Sequence, residues 1–294
     1  MDTLRAIALM VASMALLAAS DAFLKLASQT APVGQVMVML SIGATALFFA
    51  LAALRGVRLS LSQAFEPKVM LRNLFEMIGA LGMIVGLSKI PLSLMAAIMQ
   101  TAPLVVTLGA ALFLHEPVGW RRWLAISAGL VGMLMVIRPG GAGFTGWEIF
   151  PVVGVTGLAA RDLVTRLLPA RIPSLAVSAY GFAAVLPVGL AVLLITGAPL
   201  SGEAQTFGYM TGAVAVTAAG YLAVTMAMRM APVSSVAPFR YTRLVFTAGL
   251  GMAIFGERPD GWTWAGAALI LAAGLYSFLR EHRLARQQAA VLRP

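Results

Sequence analysis

The sequence predicts an all-α integral membrane protein of ten transmembrane helices, arranged as two inverted-topology five-helix repeats. Three observations lead there. The 294 residues are 60% hydrophobic and 11% charged, with a mean hydropathy of +0.91, far from the balance of soluble domains. The apolar residues fall into ten stretches, most of them near the roughly 20 residues that cross a ~30 Å hydrocarbon core. The two halves also match each other along a constant offset. An ordinary cytosolic enzyme is excluded, and no length is left for a soluble domain.

The elements follow in order. Spans at residues 4–27, 33–54, 70–88, 92–114 and 123–137 make the first half, and spans at 147–168, 175–196, 208–228, 235–255 and 262–279 the second. The first resembles a cleaved signal, with Arg5 ahead of an apolar run and Ala18, Ala19 and Ser20 near its end. Its match to the sixth span makes it a permanent element instead. The repeats are expected at 4–138 and 147–280, followed by a basic tail at 281–294.

The net charge of +10 reads as topology rather than as a nucleic-acid face, because the basic residues sit singly or in small groups between apolar runs. Alternating the loops puts Arg5, Arg55, Arg58, Lys68, Arg72, Arg121, Arg122, Arg166, Arg171, Arg229, Arg280, Arg283, Arg286 and Arg293 on the side of the N-terminus. Lys25, Lys89, Arg138 and Arg258 take the other side. The positive-inside rule then makes both termini cytoplasmic. Trp147, Trp262 and Trp264 read as interface anchors at span ends.

At an offset of 141 residues Asp21 meets Asp162, Lys25 meets Arg166, Pro32 meets Pro173, Gly56 meets Gly197, Gly79 meets Gly220, Pro91 meets Pro232, Ser93 meets Ser234, Thr101 meets Thr242 and Glu116 meets Glu257. One inserted residue later, Pro117 meets Pro259, Gly119 meets Gly261, Trp120 meets Trp262 and Arg138 meets Arg280. Five spans per copy is an odd number, so the second copy enters the membrane the other way up. Inverted repeats are a hallmark of secondary transporters, with the substrate site near the midplane between the copies.

The stretch L-F-L-H-E-P-x-G-W at 112–120 and its partner I-F-G-E-R-P-x-G-W at 254–262 resemble the duplicated EamA module of the drug/metabolite transporter superfamily, and the resemblance covers essentially the whole chain. Within it the sequence looks most like the amino-acid exporters of the YddG type. The resemblance implies a ten-helix carrier of the bacterial inner membrane that exports amino acids or related metabolites. It also implies a central cavity lined by helices three, four, eight and nine, with contributions from one and six.

Charges inside a membrane are costly and are functional candidates by default. At a 1.5 Å rise, Glu76 lies roughly 9 Å inside the third span, Arg240 and Arg243 roughly 9 and 13 Å inside the ninth, and Arg161 and Asp162 roughly 10 to 12 Å inside the sixth. Asp21 with Lys25 and Asp162 with Arg166 stand at i, i+4 with the acid first. They read as intrahelical ion pairs whose base snorkels to the interface, or as part of the site. Glu76 has Arg72 four residues earlier. Arg240 and Arg243 have no acid on their own helix before Glu257, so the sequence offers three roles: a cytoplasmic gate with Glu76 and Asp162 across the bundle, an arginine that receives a substrate carboxylate, or a static tie between helices.

Phe75, Glu76, Gly79 and Met83 of the third span, Gln100 and Thr101 of the fourth, Tyr221 of the eighth and Tyr241 of the ninth make the expected substrate lining. The offset pairs Gln100 with Tyr241. Pro103 and Pro238 are expected hinges. Gly82 with Gly86 reads as a helix-packing face. Glu116 and Glu257 are expected to cap the helix that follows each of them.

The absence of cysteine removes disulfides and thiolate metal sites. The two histidines, His115 and His282, lie at span ends, and no Walker sequence is present. No catalytic residues, metal or cofactor are therefore expected, and the protein does not read as an enzyme. Its expected partners are a small-molecule substrate and membrane lipid, without nucleic acid, and it is read as monomeric. The competing readings are a drug, nucleoside or nucleotide-sugar carrier of the same superfamily and, from another class, a membrane receptor or structural protein.

Overall fold

The computed structural model describes residues 2–116, 119–141, 144–169, 171–231 and 233–291. Pro117, Pro232 and Arg293, invoked above for the repeat and the basic tail, lie outside the described residues. The first repeat contains α1 (Asp2–Thr30), α2 (Val33–Leu54), the short α3 (Leu61–Ala64), α4 (Pro67–Lys89), α5 (Leu92–Met99), α6 (Ala102–Phe113) and α7 (Trp120–Ile137). The second contains α8 (Ile149–Arg166), α9 (Ser174–Thr196), α10 (Ala204–Met230), α11 (Val233–Val236), a 3-10 turn over Ala237–Tyr241, α12 (Thr242–Phe255) and α13 (Gly261–Val291).

Eight of the ten spans are helices long and apolar enough to cross a membrane. The sixth, α8, contains Arg161, Asp162 and Arg166, and the ninth is broken into pieces. Among the described residues all regular structure is helical. The face on which α1 begins is the terminal face below, and the opposite one is the far face.

Both the fourth and ninth spans, each expected as one span with a proline hinge, break at mid-depth near that proline. Pro103 has no N–H to donate to the Met99 carbonyl, and Pro238 none for Ser234, so each helix loses a bond and stops near that point. The break between α5 and α6 lies at Gln100 and Thr101. On both sides of the duplication the same hydroxyl bonds the carbonyl three residues back: Thr101 Oγ1 donates to Ile98 O and Thr242 Oγ1 to Phe239 O, both at 2.6 Å. Gly56 and Gly197, matched by the repeat, end α2 and α9 with φ of +65° and +58°, a conformation that favours glycine.

The repeats are interlocked rather than side by side. α1 packs chiefly on α10 and α8 on α4, each first span of one repeat against the third span of the other, while α2 packs on α9 and α7 on α13. The sequence supplies glycine where the backbones come closest. A Cβ at Gly82 would lie 2.6 Å from the Gly154 nitrogen, and one at Gly132 2.8 Å from the Gly266 carbonyl oxygen. Gly82→Leu is therefore expected to force α4 from α8 at a cost of about 1–3 kcal/mol, read as a lower thermal midpoint in detergent.

The largest buried cluster sits toward the far face, where Leu24 and Ala27 of α1 meet Ile84 and Leu87 of α4 and Leu92 and Met95 of α5. There α5 packs against α12. The symmetry counterpart of that contact would join α6 to α11 and the 3-10 turn on the terminal side. Among the described residues α6 makes no comparable packing with them. The two faces therefore differ in packing: α5 is joined to α12 on the far side, and among the described residues their counterparts are not joined in the same way on the terminal side.

Candidate functional site

The intramembrane charges form two clusters, each joined by an ion pair between helices that spacing along one helix does not predict. In the first, on the terminal half, α4 and α8 bring Glu76 between two arginines. Arg72 Nη2 lies 2.5 Å from Glu76 Oε2 and Arg161 Nη1 lies 3.1 Å from Glu76 Oε1. Arg161 also donates to its neighbour Asp162, at 2.7 Å. The expected Arg72–Glu76 pair is present, but it is one edge of a four-residue network. Arg72 is buried, its Nη1 donates to Asn73 Oδ1 at 3.1 Å, and its guanidinium fills the space where Gly181 of α9 has no Cβ.

In the second cluster Arg243 of α12 grips Asp21 of α1. Nη2 reaches Oδ1 and Oδ2 at 2.8 and 2.7 Å, and Nε reaches Oδ2 at 3.2 Å. The expected cross-bundle gate of Glu76 and Asp162 against Arg240 and Arg243 is thus replaced. Glu76 and Asp162 go to Arg161, and Arg243 goes to Asp21. A guanidinium fork matches a carboxylate two bonds at a time, which draws Asp21 to Arg243 and away from Lys25.

The i, i+4 reading of Asp21 with Lys25 and of Asp162 with Arg166 is corrected in the same way. Lys25 lies near Glu257 at 3.8 Å and donates to the carbonyls of Leu87 and Ile90. Those carbonyls end α4, the negative pole of that helix. Arg166 lies 3.5 Å from Glu116. Glu257 does cap a helix, but not the following one. It accepts the N–H groups of Leu92 and Ser93 at 2.5 and 2.8 Å and the Ser93 hydroxyl at 2.7 Å, at the start of α5.

The other predicted lining residues divide. Gln100 Nε2 donates to Tyr241 O at 3.2 Å, so the two polar patches related by the repeat do meet at the breaks. Thr101 is fully buried, with its hydroxyl on Ile98, and does not face a cavity. Gly79 is a packing residue, since a Cβ there would sit 2.7 Å from Leu158 Cδ2 of α8. Phe75, Glu76 and Met83 are partly buried along α4. Tyr221 is 45% exposed and stands edge-on to Phe48, with ring centres 5.4 Å apart. Arg240, on the 3-10 turn beside Tyr241, is exposed and forms no ion pair with any described residue.

What helical spacing missed was the Lys25–Glu257 and Arg166–Glu116 pairs. The signal lay in the repeat, which relates Lys25 to Arg166 and Glu116 to Glu257.

At the far face Arg138, ending α7, reaches Asp260 at 2.6 Å. The Thr263 N–H at 3.0 Å and hydroxyl at 2.8 Å, together with Arg138, hold the Asp260 carboxyl below the ordinary carboxylate range. A depressed folded-state pKa adds stability that is fully present above the unfolded value of about 3.9 and is lost as pH falls through the folded value. The melting difference between the protein and Asp260→Asn should therefore be flat from about pH 5 to 8, and should shrink only in acid.

Comparison with known proteins gives the same picture along the whole length. The model of the EamA-like transporter family matches residues 4–138 and again 145–279. A riboflavin transporter of Rhizobium johnstonii is 28% identical over 83% of this chain and 81% of its own. The pseudopaline exporter of Pseudomonas aeruginosa is 26% identical over 86% of this chain and 88% of its own. An S-adenosylmethionine uptake transporter of Rickettsia bellii is 25% identical over 72% of each chain. One solved protein structure superposes with a TM-score of 0.60 at 17% identity, covering 95% of this chain and 98% of the other, a likeness of fold.

Proposed function

The chain belongs to the EamA-like transporter family, and from that premise we propose that it exports a small amphipathic metabolite, a neutral amino acid with an apolar or aromatic side chain, by alternating access. The observation that carries this reading is Arg240. Arg72, Arg161, Arg166, Arg243 and Lys25 each have an acid within 4 Å, whereas Arg240 has none among the described residues. A guanidinium left without an acid at mid-depth is tolerated where it meets water or an anionic ligand. It stands on the splayed inner half of the ninth span, beside the Gln100–Tyr241 contact, where a substrate carboxylate would meet both broken helices. Phe75, Met83 and Tyr221 offer the apolar wall for the side chain.

The basic residues of the terminal face make that face cytoplasmic in a bacterial inner membrane. The less closely packed inner half of the ninth span then faces the compartment from which an exporter takes its substrate.

The test is counterflow in proteoliposomes over the twenty amino acids, riboflavin and S-adenosylmethionine. Saturable, stereospecific exchange of apolar and aromatic amino acids is expected. Arg240→Gln should raise the half-saturating concentration about 10- to 100-fold, the value of one charged hydrogen bond. Exchange confined to riboflavin or S-adenosylmethionine, or an unchanged Arg240→Gln protein, would overturn the reading.

A further inference from the structure

We infer that Lys25–Glu257 and Arg166–Glu116 are two copies of one latch, and that the carrier switches state by closing one as it opens the other. The inference rests on membership in a transporter family and not on the identity of the substrate.

One offset of 141 carries Lys25 onto Arg166 and Glu116 onto Glu257. The structure joins these four residues crosswise, the base of each repeat with the acid of the other. Two independently arising surface ion pairs would have no reason to be symmetry images of one another.

Their states differ. The far-face copy is shut, with side-chain exposures of 11% and 9% for Lys25 and Glu257. The turn between α4 and α5 presents two carbonyls to the ammonium and two N–H groups to the carboxylate, so the pair staples α1 and the end of α12 onto the turn that joins the third and fourth spans. Helix dipoles favour both contacts, a cation at the end of α4 and an anion at the start of α5.

The terminal-face copy is loose. Arg166 and Glu116 are 3.5 Å apart with side chains 54% and 43% exposed. Its counterpart turn joins α10 to α11, and the sequence equivalents of Leu92 and Ser93 are Val233 and Ser234. The backbone packing agrees, since α5 meets α12 while, among the described residues, α6 does not comparably meet α11. In the opposite state Glu116 engages the start of the ninth span as Glu257 now engages the fourth, α6 closes on the inner half of the ninth span, and the far-face staple is released.

The experiment exploits the absence of cysteine. A single Leu94→Cys reporter, lining the far-face cavity with Glu257, is labelled in whole cells with a membrane-impermeant maleimide. Glu257→Gln should increase the labelling rate about tenfold by populating the state open at the far face, and Ser93→Ala, which keeps the charge pair, should increase it less. Glu116→Gln should lower the rate, because it weakens the state that exposes the reporter. Unchanged labelling in a Glu257→Gln protein that still elutes as a folded species, or a rise in the Glu116→Gln protein, overturns the inference. Because the readout needs no substrate, a failed amino-acid assay would leave this result standing.

Discussion

Glu76→Gln should lower the thermal midpoint of the detergent-solubilised protein more than any other single change of one carboxylate on α4 or α8. Glu76 is the acid shared by Arg72 and Arg161. With it the network of Arg72, Glu76, Arg161 and Asp162 is neutral, and without it one positive charge is left over. Asp162 remains for Arg161, but the side-chain contact left to Arg72 is the Asn73 amide oxygen at 3.1 Å. Arg72 is only 7% exposed and is enclosed by Gly181, so it cannot swing to water without moving α9. Removing one partner of a buried pair costs about 3–5 kcal/mol, mostly from the charge left behind. Glu76→Asp keeps the charge on a shorter arm and should recover part of the loss. If Glu76→Gln melts within a degree of the parent, the network does not hold α4 to α8.

The extent to which this site was readable depends on which force set each contact. Span positions, the duplication and the family follow from hydropathy and from matched residues, both local properties; eight of the ten spans are described helices able to cross a membrane, and the family model matches each half. The helix breaks were legible at Pro103 and Pro238 because the missing N–H is a property of the residue itself. Helical spacing made the Arg72–Glu76 pair legible, but not the ion pairs between helices. Lys25 is one turn from Asp21 on α1, yet it is taken by the Leu87 and Ile90 carbonyls at the end of α4, and Asp21 is taken by Arg243. Those partners arrive by the packing of one repeat into the other, which the spacing along a single helix does not encode. Gly79 shows the same limit. Its place on α4 suggested a cavity wall, but the small residues of α8 that it packs on decide its role.

Arg243→Gln tests the second cluster, and its outcome separates a fixed tie from a working part. Asp21 is 7% exposed, and among the described residues Arg243 supplies all three hydrogen bonds that its carboxylate accepts. Truncating the arginine leaves a buried carboxylate without its countercharge, at about 3–5 kcal/mol. Asp21→Asn with Arg243→Gln replaces the ionic contact by a neutral amide pair of similar shape, and most of the stability should return. Transport need not return with it. Asp21 belongs to α1, which is locked along α10, and Arg243 to α12, just beyond the ninth-span break. If the two elements stay together through the cycle, the neutral pair serves as well as the charged one and counterflow recovers with the melting temperature. If the contact is made and broken in each cycle, the neutral protein melts normally but exchanges substrate at a changed rate, because the relative energy of the two states has shifted. Measuring both quantities on the single and double variants therefore assigns Asp21 and Arg243 either to the scaffold or to the moving machinery.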